Sequence, residues 1–423
     1  MQPIIKTITS WQKTDERFYA PGALIEVING KGLLREDFKE LMNGKSYCTL
    51  MLGDTPLFQL QGNEYYCPTC EKIMKSGYNL EQSAEFYNQV INATKEGVSF
   101  EEALESMKPL LRLLPSKYYI ILDTRLYPTD GNGHLFWETT NEDVALPGTC
   151  IYYFQEKGYT WGKCRPSFTV ATQPVEKLST ERVECYRNMS GARAIAYYMD
   201  GYMTALLDGH HKAMAAALEG QMVNALVIVP CVEMRRREDK VIKSYIGACG
   251  MDFACEEYGI TLPENKPYQR PDEGKQWMEL QRIQSQIPQA PLHISLPYDT
   301  KKMVKPYPDV RALAYMDLVG EIENERLDHI LAEQEYLSVE EATDMIEALS
   351  GMRHERLWEV VDFYLGRRMG WSGVPRELVE TCFRVLVKLP HTEELDAYLI
   401  ERMVEFEDEY PIVKSIVMLD YFE

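Results

Sequence analysis

The chain has 423 residues, 45% of them hydrophobic and 26% charged, with a formal net charge of −20. That length gives room for two or three domains and a sizeable core. The negative balance repels nucleic acid and anionic membranes, and no apolar stretch approaches the roughly 20 residues of a membrane span.

In chain order, Met1-Gln2-Pro3-Ile4-Ile5-Lys6 lacks the apolar core and cleavage site of a signal peptide, so a cytoplasmic location is expected. Ten cysteines then read as reduced thiols, and Cys48, Cys150, Cys185, Cys231 and Cys382 as small hydrophobes. Residues 1–114 read as a mixed α+β region. Within it, Leu34 to Met42 has helical spacing, and Leu57 to Tyr66 reads as a hairpin turning at Gly62-Asn63. Cys67-Pro68-Thr69-Cys70 follows. Two thiolates at this spacing grip one Zn²⁺ from a turn, so Cys67 and Cys70 form half of a structural zinc site. The other half would come through tertiary folding, from Cys48, Cys150, Cys164, Cys249, Cys255 or His134. Free or redox-active thiols are the competing readings. Leu80 to Leu114 is helical, with Ser99 and Glu102 as a capping box and Pro115 as the stop.

Residues 115–262 read as an α/β domain. Tyr118 to Leu122 is a strand, and Pro128 to Gly133 a turn-rich loop. Tyr152-Tyr153-Phe154 and Phe168-Thr169-Val170 are strand-like, and Glu181 to Met189 a short helix. Ala194 to Met199 and Tyr202 to Leu207 form a hairpin through Asp200-Gly201. Asp208 to Lys212 is a junction, Ala213 to Leu218 a helix stopped by Gly220, and Ala225 to Val229 a buried strand. The basic run Arg235-Arg236-Arg237, followed by Glu238 and Asp239, reads as a solvated strand exit. Prolines mark 263–309 as a linker. Residues 310–423 read as an all-helical domain, with Ser338 as an N-cap and helices over Leu357–Leu365, Leu378–Leu389 and Leu395–Phe406.

The chemistry concentrates at Asp208-Gly209-His210-His211-Lys212. Gly209 permits a tight turn and close approach of a ligand to the backbone. His210, His211 and Lys212 bring donors to a helix N-terminus, whose amides and dipole attract anions. Asp208 takes a proton from a hydroxyl or holds Mg²⁺. The bland alternative is an ordinary Asp-Gly turn with histidines beside it.

This junction, the hairpin before it, and the Ala-rich helix and apolar strand after it resemble the ParB/sulfiredoxin-like superfamily over about Phe168 to Pro230. The resemblance implies a nucleotide-phosphate site at Gly209, His210, His211 and Lys212, with Asp208 and His210 as catalytic residues. Members include ATP-dependent sulfiredoxins, CTP-hydrolysing partition proteins, free-serine kinases and ParB-like nucleases. Lys212 stands where arginine is usual, which turns a bidentate clamp into a point charge. No cysteine lies in the motif, which argues against sulfiredoxin chemistry. The kinases use an upstream glutamate, for which Glu176 is the nearest match. The expectation is an α+β protein with a ParB/sulfiredoxin-like centre that binds a nucleotide or phosphorylated small molecule. It would use a nucleoside triphosphate with Mg²⁺ as a phosphotransferase or nucleotide hydrolase. The alternative is a non-enzymatic interaction or ligand-sensing module whose acidic helical C-terminal domain binds a protein partner.

Overall fold

The computed structural model describes the chain outside residues 13, 15–17, 41–45, 61–82, 139–163, 174, 188, 190, 239–240, 263–272, 286–295, 321, 367–373 and 423. The fold is α+β, and contacts divide the chain into Met1–Tyr307 and Pro308–Glu423.

The first unit is built on a seven-stranded mixed sheet. Its strands are β1 (Ile4–Trp11), β2 (Gly22–Ile28), β6 (Tyr118–Leu126), β7 (Phe168–Ala171), β8 (Ala194–Asp200), β9 (Met203–Asp208) and β10 (Val223–Pro230), in the order β1-β2-β6-β10-β8-β9-β7. β10 lies parallel to β8, and β7 parallel to β9; the other pairs are antiparallel. β10 is a nearly continuous apolar run because it is central, and Leu226, Val227, Ile228 and Val229 are fully buried. Each such side chain contributes on the order of 1.5–3 kcal/mol by leaving water.

Two small sheets flank it, one of β3 (Leu34–Glu40), β4 (Ser46–Leu52) and β5 (Thr55–Leu60), the other of β11 (Val232–Glu238), β12 (Val241–Ala248) and β13 (Met251–Ala254). The unit's helices are α1 (Ser83–Asn92), α2 (Phe100–Leu111), α3 (Thr180–Arg187), α4 (His210–Leu218), α5 (Glu273–Ser285) and α6 (Thr300–Val304). Ser99 and Glu102 form the expected capping box on α2. α4 lies against the sheet through Ala213, Met214 and Ala217, whose side chains sit in one cluster with Ala194, Ala196 and Val227.

Four expectations are corrected. Leu34 to Met42 is not a helix: its first seven residues form β3, paired with β4 from Leu34↔Leu52 to Glu40↔Ser46, and Arg35 donates to the Gly53 carbonyl at 2.7 Å in the β4–β5 turn. Cross-strand pairing overrides helical spacing in so short a segment. The division expected at 114/115 runs through one sheet, because β1 and β2 join β6. The linker expected at 263–309 contains α5 and α6; α5 buries Leu280 and Ile283, the latter against Met51. Finally, α4 begins at His210 rather than Ala213, so the junction residues form the helix's first turn. The Gly62-Asn63 turn, Cys67, Cys70, Cys150 and Tyr152-Tyr153-Phe154 lie outside the described residues.

In the second unit every described element is helical: α7 (Val310–Val319), α8 (Asn324–Leu331), α9 (Val339–Met352), α10 (Leu357–Gly366), α11 (Arg376–Leu386), α12 (Glu393–Phe406), α13 (Pro411–Val417) and a terminal π turn, Met418–Phe422. Ser338 and Glu341 form a capping box on α9, an arrangement in which the N-cap is worth about 1 kcal/mol. α7 and α9 cross closely, and a Cβ at Gly351 would lie 2.1 Å from that of Ala312. Among the described residues, no helix is long and apolar enough to cross a membrane.

Candidate functional site

The site is built where β9 hands over to α4. Gly209 takes φ +98°, and a Cβ there would meet the Ala194 Cβ at 2.6 Å, so only glycine seats the turn on the start of β8. The next three side chains turn inward. His210 is buried, and its Nε2 accepts the Thr172 N–H at 3.1 Å, which assigns the ring proton to Nδ1. Burial, reinforced by His211, pushes its pKa down to about 3, so the ring is neutral. Trp137 packs beside both histidines, with ring centres 5.5 Å and 5.6 Å away, and its indole N–H donates to the Gln173 carbonyl at 2.6 Å.

His211 reaches a different segment. Its Nε2 lies 3.1 Å from the Ser179 N–H and 3.2 Å from the Lys177 carbonyl. Burial and the Arg182 charge depress its pKa, against the opposing effects of the Lys177 carbonyl and Asp208. With the ring proton on Nδ1, Nε2 accepts the Ser179 N–H; with the proton on Nε2, it donates to the Lys177 carbonyl instead. The Ser179 hydroxyl in turn accepts the Arg182 N–H at 3.3 Å, as the cap of α3.

Lys212 is 7% exposed. Its ammonium donates to the Arg193 carbonyl at 2.8 Å, sits 3.5 Å from an Asp208 carboxylate oxygen, and lies 5.6 Å from the centre of the Tyr186 ring. Burial lowers its pKa, and the Asp208 carboxylate opposes that shift. Arg193 is itself fixed, with two-pronged donation to Asp123 at 3.0 and 2.7 Å and a bond to the Val98 carbonyl at 2.7 Å.

Two groups of opposite sign face outward. Asp208 is about one-third exposed at the end of β9. Arg182, in the first turn of α3, is exposed, and its side chain has no partner among the described residues. Its charge is felt at both His211 and Lys212. Because His211 ties the first turn of α4 to the cap of α3, the two helix N-termini meet beside Arg182. The N–H groups of His210, His211 and Lys212 find no acceptor among the described residues.

The arrangement thus brings Asp208, Gly209, His210, His211 and Lys212 together, but gives the histidines and lysine internal partners. Glu176 lies on a single 3-10 turn, Val175–Lys177, with its side chain exposed; the turn reaches the site through the Lys177 carbonyl. Sequence reasoning missed Arg182, Thr172, Ser179 and Trp137, which are distant along the chain and belong to no motif. Ser179 three residues before Arg182 is a cap signal that could have placed the helix start. Among the described residues, no group of three or more His, Cys, Asp or Glu could hold a metal ion. No family model, curated protein or solved structure matches this chain.

Proposed function

We propose that the β9–α4 junction binds the phosphate of a nucleotide or phosphorylated small molecule, in a domain of ParB/sulfiredoxin-like type. The observation that carries this reading is the meeting of two helix N-termini beside an unengaged arginine. Amides without an acceptor among the described residues, two helix dipoles and the Arg182 charge felt at His211 and Lys212 all favour a negative group there. Arg182 takes the role expected of Lys212, and as an arginine it grips phosphate through two parallel donors. Asp208 stands next to the cradle. It would hold Mg²⁺ together with phosphate oxygens and water, or take the proton of an acceptor hydroxyl, which is the division of labour of a phosphotransferase or nucleotide hydrolase.

The test is a thermal shift against ATP, CTP, GTP and ADP, each with and without Mg²⁺. A ligand at 100 times its Kd stabilises the fold by about 2.7 kcal/mol. A shift that is lost in Arg182→Gln, with the melting point of the free protein unchanged, supports the site. No shift with any nucleotide leaves the junction as architecture.

A second reading rests on the C-terminal helices as an acidic protein-binding domain. Residues 308–423 hold 27 Asp and Glu against 11 Lys and Arg. Ile400 and Val404 are exposed one turn apart on α12. Pull-down with the isolated unit against that with the full chain would separate this reading from the first.

A further inference from the structure

The β11–β12 hairpin carries a charge opposite to that of the chain. β11 is the edge of its sheet, and Arg235, Arg236 and Arg237 are all exposed along it. The base of the hairpin is fixed, because Ile246, Met251 and Phe253 are buried in the core of the first unit. Alternation along the strand puts Arg235 and Arg237 on one face and Arg236 on the other. Arg236 is engaged, paired with Asp252 at 2.5 Å and lying over the Tyr245 ring. Arg235 and Arg237 have no partner among the described residues.

The edge itself is open. The Cys255 N–H donates to the Ser244 carbonyl at 2.9 Å, so Ser244 directs its main-chain groups toward β13. Arg235 is the residue opposite Ser244. In an antiparallel ladder such pairs alternate, so the N–H and C=O groups of Glu233, Arg235 and Arg237 face the free edge. A second copy of the chain pairing there edge to edge would set two arginine runs against each other. The run is also short, bounded by Glu233 and Glu238, which suits a few carboxylates rather than a continuous phosphate backbone.

We infer that the β11 edge receives an extended acidic segment of a partner protein as an added strand, with carboxylates on Arg235 and Arg237 and apolar side chains against Val232 and Met234. Main-chain bonds would give affinity and the two arginines specificity. Val232 is 54% exposed and lies on the face opposite the free arginines.

The probe is a short fluorescent peptide alternating glutamate with valine, measured by anisotropy against the full chain. Its controls are a lysine–valine peptide and a single-stranded DNA of equal charge. The glutamate peptide binds and the lysine peptide does not. Arg235→Glu with Arg237→Glu weakens binding by at least about tenfold, the loss of one charge-assisted bond. Glu233→Pro is the sharper test. It removes an edge N–H without touching the β11–β12 ladder, and it also removes a negative charge. Charge attraction alone predicts tighter binding of the glutamate peptide, whereas strand addition predicts weaker binding. Should that variant fail to fold, amide exchange in wild type replaces it: the N–H groups of residues 233, 235 and 237 slow on saturation. Absence of binding, affinity indifferent to the double reversal, unslowed edge amides, or tighter binding of the DNA each overturns the inference.

Discussion

Lys212→Met distinguishes a structural lysine from a ligand-binding one. The substitution keeps an unbranched apolar stem and removes the ammonium, which lies 5.6 Å from the centre of the Tyr186 ring. What is lost is a charged-donor bond to the Arg193 carbonyl at 2.8 Å, about 1.5–3 kcal/mol for such a bond. The Asp208 contact adds little, since at 3.5 Å and with the carboxylate one-third exposed it is worth at most about 1 kcal/mol after screening. Against these losses, the variant no longer buries a charge, a cost visible in the depressed pKa of Lys212. The net expectation is a loss of about 2 kcal/mol. Urea unfolding followed by tryptophan fluorescence reads it as a lower midpoint at unchanged slope. Affinity for ATP or inorganic phosphate, measured well below the unfolding transition, should change by less than about threefold. A variant as stable as wild type that no longer binds phosphate would refute this assignment and return Lys212 to the cradle.

Gly209→Ala combines a left-handed backbone with a Cβ placed 2.6 Å from Ala194, and should cost about 2–5 kcal/mol, seen as a lower urea midpoint; a cost under about 0.5 kcal/mol would mean the turn can reseat. His210 is held at about 3 in the folded chain against 6.5 unfolded, so between these values only the unfolded state takes the proton. Its stability contribution is therefore complete above pH 6.5 and falls by about 1.4 kcal/mol per pH unit as the pH drops toward 3. The wild-type-minus-His210→Gln difference in stability should show that slope, and a flat difference from pH 7 to 4 would rule out the buried neutral ring. Asp208→Asn should leave Mg²⁺-free nucleotide binding intact and abolish the added shift with Mg²⁺, read by calorimetry; equal Mg²⁺ enhancement in both proteins would exclude Asp208 as the metal ligand.

Much of this site was legible locally and little of it across the chain. The Asp200-Gly201 hairpin, the buried run of β10 and the capping residues Ser99 and Ser338 are short-range signals, and each forms as expected. Leu34–Glu40 has an apolar spacing that fits a helix, and only the partner strand β4 decides otherwise. The same limit applies at the junction. The motif announces donors at a helix start, but whether a donor faces solvent or a carbonyl depends on Thr172, Ser179 and Arg193, which no local pattern brings near. A histidine that accepts a backbone N–H looks, in sequence, the same as one that binds phosphate.

The inward turn of the motif has a mechanical consequence. Four consecutive residues fasten three segments: Gly209 and Lys212 hold the start of β8 at Ala194 and Arg193, His210 holds Thr172, and His211 holds the cap of α3. On the proposed reading, the α4 amides that have no acceptor among the described residues are thereby fixed in place before a ligand arrives, which is how preorganised donors would stabilise its charge without reorganisation. On this view His211 acts on phosphate through α3, by anchoring the helix that carries Arg182 and whose N-terminus is part of the cradle. A double-mutant cycle tests that claim. His211→Ala alone should weaken phosphate binding by loosening α3, and Arg182→Gln alone by removing the guanidinium. The double variant should lose less than the sum of the two single losses, because the guanidinium that His211 helps to place is already gone and only the α3 dipole is left to displace. Additive losses, measured by calorimetry with inorganic phosphate, would mean that His211 meets the ligand directly and that its ring leaves the Ser179 amide on binding.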